Sequence, residues 1–400
     1  MQAVSKARRL SNVFKSPIYL NSDRFLAPDV LIEAPHTSLQ WRNHNTLSSG
    51  TSFFSGNIRG NYSEIRRCAM YMRMVSQAPF SAKASTIEGS PTEAVKELYD
   101  QIFQSVVVKR SMAPNAWLWS LIENCKNHDD VKLLFEILQK LRQFRLSNLR
   151  ISSNFNCNLC REVTKACVRV GAIDFAKKAL WKHNVYGLTP NIGSAHCLLL
   201  YAKEHNDADL MVDIMKLVKR NDLPLQAGTA DIVFSICYNS YNWSLMSKYS
   251  IKFVKAGVKL RQTSFDMWMD FAAKIGDTES LWRIEKLRSE SMKQHTLVSG
   301  FSCAKGLLLE GKPEDAAAVI QVLNQNLSEA KKSNTMVELQ KLVSEWPLEV
   351  IKHQKEGNRK EELATSLRTG IPAMIDALLN NGMEVRVNME DLTSKEGILS

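Results

Sequence analysis

Residues 157–191 read CNLCREVTKACVRVGAIDFAKKALWKHNVYGLTPN, and the interpretation of these 35 positions decides the fold. One apolar helical stretch runs up to Val170, Gly171 breaks it, and a second apolar stretch follows until Gly187-Leu188-Thr189-Pro190 closes the segment. Glycine supplies a left-handed helix cap, and proline just beyond forbids continuation. The segment reads as helix, short turn, helix, stop.

The same pattern returns every 35 residues. Turn positions fall at Gly171, Asn206, Tyr241, Gly276 and Gly311. Five residues after each stand Ala176, Met211, Met246, Leu281 and Ala316; four residues before each stand Cys167, Ala202, Cys237, Ala272 and Leu307. Both columns are apolar and the second is mostly small, as required where two helices cross closely. Segment ends repeat with the same spacing at Gly187, Asp222 and Gly257. Periods of 20 to 50 residues mark arrays in which each unit buries its apolar face against its neighbours. The expected fold is therefore an all-α solenoid of helix-turn-helix hairpins, with function spread along a surface.

Outward from this segment, the units 157–191, 192–226, 227–261 and 262–296 follow without insertion, and 297–331 keeps Gly311 and a helix start at Lys312-Pro313-Glu314-Asp315. An irregular hairpin precedes them, with Trp117, Leu118, Leu121 and Ile122 in its front helix and Val131, Leu134, Phe135, Leu138 and Leu141 in its second. A seven-residue excess near 150–156 separates it from the phased units. The domain reading is a presequence at 1–76, an N-terminal helical cap at 77–114, the array at 115–331, and a C-terminal helical cap and tail at 332–400. Helices are expected there at 336–344, 359–367 and 372–379, with the tail from Glu390 disordered.

The net charge of +11 is unevenly placed. Residues 1–86 carry eleven Lys or Arg against four acids, so the remaining chain is only weakly basic at +4. The first 22 residues hold no acid, and the whole leader favours Arg over Lys without a long apolar run. That composition predicts an organellar presequence, mitochondrial (matrix) rather than plastid, instead of a secretory signal. A basic arm that stays attached and binds RNA is the alternative. No stretch reaches the roughly 18 apolar residues of a spanning helix, so no membrane insertion is expected.

The eight cysteines read as reduced, buried small hydrophobes. Cys157-x-x-Cys160 has zinc-ligand spacing but lacks a second pair, and no metal or other cofactor is expected. No His-x-Glu, GxxxxGK[ST] or GxSxG occurs, and no alternating strand pattern offers a nuclease domain, so an enzyme is not expected. The helical spacing of the tryptophans makes most of them core residues, Trp119 being the exception.

Tyr186-Gly187-Leu188-Thr189-Pro190-Asn191 and the turn Val170-Gly171-Ala172-Ile173-Asp174-Phe175-Ala176 resemble the pentatricopeptide repeat (PPR) proteins of organellar gene expression, and the period of 35 matches that family. The resemblance covers about 115–331. It implies a right-handed superhelix whose first helices line an RNA-binding face, with one base per repeat read by two or three side chains. It also implies reading pairs: Arg161 with Asn191, His196 with Gln226, Asp231 with Arg261, Asp266 with Thr296, and Phe301 with Lys331; Trp119 takes the equivalent place in the first hairpin. None is a standard pair of the family. Asp231 and Asp266 place carboxylates near a passing phosphate backbone, and Asp231 is suited to neutralisation by Arg261. The expected role is a non-catalytic, RNA-associated or ribonucleoprotein component of organellar gene expression, with the mitochondrial ribosome as one setting for it. Its partners would be single-stranded or ribosomal RNA, bound with weak sequence preference, and a mitochondrial protein complex. The alternative is a protein-interaction scaffold or assembly subunit of a respiratory complex.

Overall fold

The computed structural model describes residues 90–388 except 149, 327, 328, 355 and 356. The presequence reading, residues 77–89 of the expected N-terminal cap and the tail from Glu390 lie outside these. Every regular element among the described residues is helical, and the chain is all-α there.

The helices are Glu93–Phe103 (α1), Asn115–Asn124 (α2), His128–Ser147 (α3), Cys157–Val170 (α4), Ile173–Ala179 (α5), Ile192–Glu204 (α6), Ala208–Arg220 (α7) and Ala227–Asn239 (α8). They continue with Trp243–Lys255 (α9), Gln262–Ile275 (α10), Thr278–Ser291 (α11), Leu297–Leu309 (α12), Pro313–Asn326 (α13), Glu329–Ser344 (α14), Trp346–Lys352 (α15) and Gly357–Asn380 (α16). A π-helical turn, Gln104–Val108, extends α1. Within the phased units the first helices start at 157, 192, 227, 262 and 297, and the second helices at 173, 208, 243, 278 and 313, every 35 residues in both series.

The turns explain that regularity. Gly171, Asn206, Tyr241, Gly276 and Gly311 all have positive φ. In each turn the next residue's N–H returns to the small-residue column: Ala172 to the Cys167 carbonyl at 2.8 Å, Asp207 to Ala202 at 2.8 Å, Asn242 to Cys237 at 2.9 Å, Asp277 to Ala272 at 3.0 Å and Lys312 to Leu307 at 2.9 Å. This is the bond of the Schellman helix end, which satisfies a carbonyl the helix cannot. The second helices α7 and α9 end the same way, with Asp222 and Gly257 at positive φ. A Cβ on Gly171 would meet nothing within 4 Å, so Gly171→Ala tests the backbone alone. It is expected to cost about 1–2 kcal/mol from the left-handed φ, read as a lower urea midpoint with an unchanged slope.

Each first helix packs on its own second helix and on the first helix of the next unit, from α4 to α12. Cys167, Ala202, Cys237 and Ala272 are fully buried there, and their small size permits the approach. Neighbouring second helices meet far less closely. A continuous apolar core runs from Val95 to Cys303, and a second joins α12 and α13 to the C-terminal helices.

Three expectations are corrected. First, α5 ends at Ala179, about half the length of its counterparts. The buried Asn184 amide replaces the missing turns: its Nδ2 donates to the Trp181 carbonyl at 2.9 Å and the Leu188 carbonyl at 2.7 Å, while its Oδ1 accepts from Tyr186 N and Leu188 N. Asparagine favours such local backbone pairing over helix. Second, α14 begins at Glu329, so Lys331 lies inside a helix and does not end a unit. Third, the stretches expected at 359–367 and 372–379 form one helix with Pro372 inside. Its buried stripe of Leu367, Ile371, Met374, Ile375 and Leu378 packs on α12 and α13 and offsets the bond that proline removes.

Candidate nucleic-acid interface

The positions expected to read bases fall at the starts of first helices, where the backbone makes its own demands. Asn191, Gln226, Arg261 and Thr296 are the N-cap residues of α6, α8, α10 and α12. The Asn191 side chain accepts from Ser194 N at 2.7 Å, and its Nδ2 donates to the Cys157 carbonyl of the preceding first helix at 3.3 Å. Thr296 accepts from Ser299 N at 2.9 Å, closing a capping box. These side chains satisfy helix donors that would otherwise be orphaned. Gln226 is exposed and makes no cap bond.

Their partners within the first helices also point to neighbouring units. Asp231 accepts from Arg261 Nη1 at 3.1 Å and from Thr263 Oγ1 at 2.9 Å, and Ser264 Oγ donates to it as well, so the expected neutralisation of Asp231 by Arg261 forms. Thr296 Oγ1 donates to Asp266 Oδ1 at 2.6 Å, and burial pushes the Asp266 carboxyl up despite that bond. His196 Nε2 lies 2.7 Å from Thr229 Oγ1, and burial lowers its pKa, favouring the neutral ring. Arg161 is exposed and pairs with Glu162 at 3.1 Å, while Lys165 pairs with the same carboxylate at 2.8 Å. Trp119 is 36% exposed on α2. Phe301 is buried in the core shared with the C-terminal helices, so it presents nothing to a ligand.

Further along the first helices, Tyr238 donates to Asp270 and accepts from Lys274 Nζ at 2.6 Å, while Lys305 Nζ donates to Asp270 at 3.1 Å. Three successive units are thereby tied by one partly buried charge cluster, which Glu349 of α15 reaches at 3.8 Å from Lys274. Trp346 and Gln354, flanking that contact, donate to the Ala273 and Ile275 carbonyls at the end of α10. The chain's own C-terminal segment therefore covers part of α10.

A second buried cluster holds Glu285, His295 and Cys303, whose ligand atoms lie within 4.8 Å of one another. Arg288 sits among them, with Nη2 2.9 Å from both Glu285 Oε1 and His295 Nε2. A cation reaching those atoms would adjoin a guanidinium, and burial keeps the Cys303 thiol protonated by raising its pKa well above the ordinary value. The arrangement fits an internal ion pair better than a metal centre. Of the CxxC pair, Cys157 is exposed, whereas Cys160 is buried with its thiol pushed up to about 11.

The two buried carboxylates set a pH dependence. Burial pushes Asp270 and Glu285 up, but Lys305 and Lys274 outweigh it for Asp270, and the bonds from Arg288 and His295 outweigh it for Glu285, so both are held below ordinary values. The unfolded chain then binds protons more readily than the folded one, and stability present at neutral pH is lost as pH falls below about 4. Thermal midpoints between pH 7 and 3 should drop in that acid limb, and Glu285→Gln, which removes the titrating group, should shrink the drop.

What sequence spacing missed is on the second helices. Because Asn184 ends α5 early, Trp181 lies in a loop and is 49% exposed rather than in the core. A cleft of about 400 Å³ opens beside it between α5 and α7. No protein-family model matches the chain, and no curated protein is significantly similar to it.

Proposed function

We propose that this is a non-catalytic protein of the PPR type: a right-handed solenoid of 35-residue hairpins that works in mitochondrial gene expression as an RNA-associated or ribonucleoprotein component. It holds nucleic acid by its phosphate backbone and does not decode bases. The observation that carries this reading is that two of the expected reading pairs, Asp231 with Arg261 and Asp266 with Thr296, are bonded to each other. A side chain that discriminates bases must offer free donors and acceptors to a base edge; Asp231, Asp266 and Thr296 spend theirs between units, and Arg261 is held to Asp231 by one of its nitrogens. The Arg-rich, acid-free start of the chain supports the mitochondrial placement.

Binding of the full chain to the four RNA homopolymers across a salt series tests the proposal. The expected result is a salt-dependent affinity that differs by no more than about tenfold between bases. Strong preference for one sequence would overturn the absence of decoding. A full chain that binds no better than a peptide of residues 1–76 would remove the RNA reading. The weak +4 balance after residue 86 would then favour a protein scaffold, for which co-sedimentation with a respiratory complex rather than ribosomal subunits is the signature.

A further inference from the structure

The cations on the two faces of the array differ in what they already touch. On the first helices, Arg161 and Lys165 share Glu162, Lys274 and Lys305 are bound to Asp270, and Arg169 donates to the carbonyls of Ile122, Glu123 and Cys125 at the end of α2. Arg169, Lys274 and Lys305 are thereby spent inside the fold, whereas Arg161 and Lys165 stay exposed beside one shared carboxylate.

The second helices of the same units carry a denser group of cations, of which Lys177 and Lys216 share a carboxylate in the same way. The cleft between α5 and α7 is walled by the half-exposed Trp181 indole and by Lys177, Lys178, Lys216 and Arg220. Its acids are Asp174 and Asp213, and Asp213 pairs with Lys177 at 3.6 Å and Lys216 at 3.0 Å. Lys178 lies over the Phe175 ring at 4.7 Å, and Arg220 has no ion-pair partner among the described residues. The positive surface continues onto α9, a helix without an acidic residue, through Lys248, Lys252 and Lys255. Lys248 and Lys252 both sit over the Tyr249 ring, and burial together with Lys248 and Lys219 lowers the Lys252 ammonium pKa. Lysines gathered closely enough to disfavour one another's charge mark a site that an anion would relieve.

Cations in a last helical turn complement the helix dipole, and this accounts for one at each of α5, α7 and α9. Each of those turns holds two, and Lys216 and Lys248 lie further back. A dipole does not explain the exposed indole set beside them.

We propose that the second-helix face of units 157–261, and not the first-helix face, is where single-stranded RNA binds, with one base stacked on Trp181 in the cleft and the backbone running over Arg220, Lys219, Lys252 and Lys255. The pairing of an aromatic face with a cationic track is the chemistry of strand binding without sequence preference. An acidic peptide or an anionic membrane would use the charges but not the ring. This inference rests on the RNA reading proposed above and assigns it a surface.

The test compares full-length wild-type protein with three folded variants, checked by circular dichroism, using fluorescein-labelled oligo(A), the same strand made abasic, heparin and vesicles containing anionic phospholipid. Lys219→Gln/Arg220→Gln/Lys252→Gln/Lys255→Gln is expected to make the slope of log affinity against log salt shallower by roughly 3, four phosphate contacts at about 0.7 each. Trp181→Ala should weaken oligo(A) by roughly 5- to 150-fold, the range for one base–aromatic stack, and leave the abasic strand unchanged. Arg161→Gln/Lys165→Gln, on the first-helix face, should change neither. Loss of binding in this last variant with the other two unaffected overturns the face assignment while the RNA reading stands. Equal effects of Trp181→Ala on oligo(A), heparin and vesicles overturn the base stack and point to a generic polyanion or a lipid. Wild-type protein that binds none of the strands ends the RNA reading itself.

Discussion

Arg288→Leu is expected to destabilise the protein by about 3–5 kcal/mol, because it strips the main counter-ion from a largely buried carboxylate. Arg288 is 1% exposed in the last turn of α11. Nε and Nη2 bind both oxygens of Glu285 at 2.7 and 2.9 Å, Nη1 donates to the carbonyls of Met292 and Gln294, and Nη2 meets His295. One side chain thus fixes the end of α11, the connection that follows, and the start of α12. Leucine would leave the Glu285 charge with only His295 beside it, at 3.3 Å, and take a donor from two carbonyls. The companion variant Arg288→Met/Glu285→Leu removes both charges, and most of the loss should return, since a buried pair replaced by apolar groups of similar volume is often neutral. Urea unfolding of the full chain measures both, with hydrogen exchange of α11 and α12 amides locating the effect. A loss under about 1 kcal/mol for Arg288→Leu would show that apolar packing alone holds this joint.

Trp346→Ala should cost a similar 3–5 kcal/mol, the range for emptying a large aromatic site. The indole is 2% exposed, and its Nε1 donates at 3.0 Å to the Ala273 carbonyl. Ala273 lies in the last turn of α10, where helix carbonyls lack an internal partner. Gln354 supplies the Ile275 carbonyl in the same way at 3.3 Å. The segment after α14 therefore completes the end of a helix about seventy residues earlier in the chain. Its release should appear as faster proteolysis around 345–354 in Trp346→Ala. Trp346→Phe keeps most of the volume and loses one hydrogen bond, about 1 kcal/mol. Equal damage by alanine and phenylalanine would mean that the bond, not the packing, anchors the segment.

Both variants act where the 35-residue pattern is silent. Glu285 and Arg288 look in the sequence like an ordinary exposed i, i+3 pair, and nothing in their spacing signals burial. Trp346 lies past the last phased unit. Periodicity reports which residues share a helix face, but contacts from elements far apart in the chain decide whether that face is covered.

The turns were legible because their chemistry is local. Five positive-φ positions and five returning N–H bonds follow from residues within six positions of one another. The short α5 was missed for a reason that is local too: a single Asn184 amide matches four backbone groups at once, and apolar spacing does not register it. That one side chain exposes Trp181 and opens the cleft beside it.

Of the candidate reading residues, the sequence identified their places at the starts of first helices and the Asp231 to Arg261 pair. It did not reveal that Asn191 and Thr296 are engaged as helix caps, or that His196 meets Thr229 in the next unit. Helix starts and turns are determined by the sequence alone, since capping, glycine conformation and apolar phase are properties of neighbouring residues. Which charges are spent and which stay open to a ligand was decided by the tertiary structure. A charge is neutralised by whatever lies within a few ångströms, and here those partners come from other units and from the C-terminal helices.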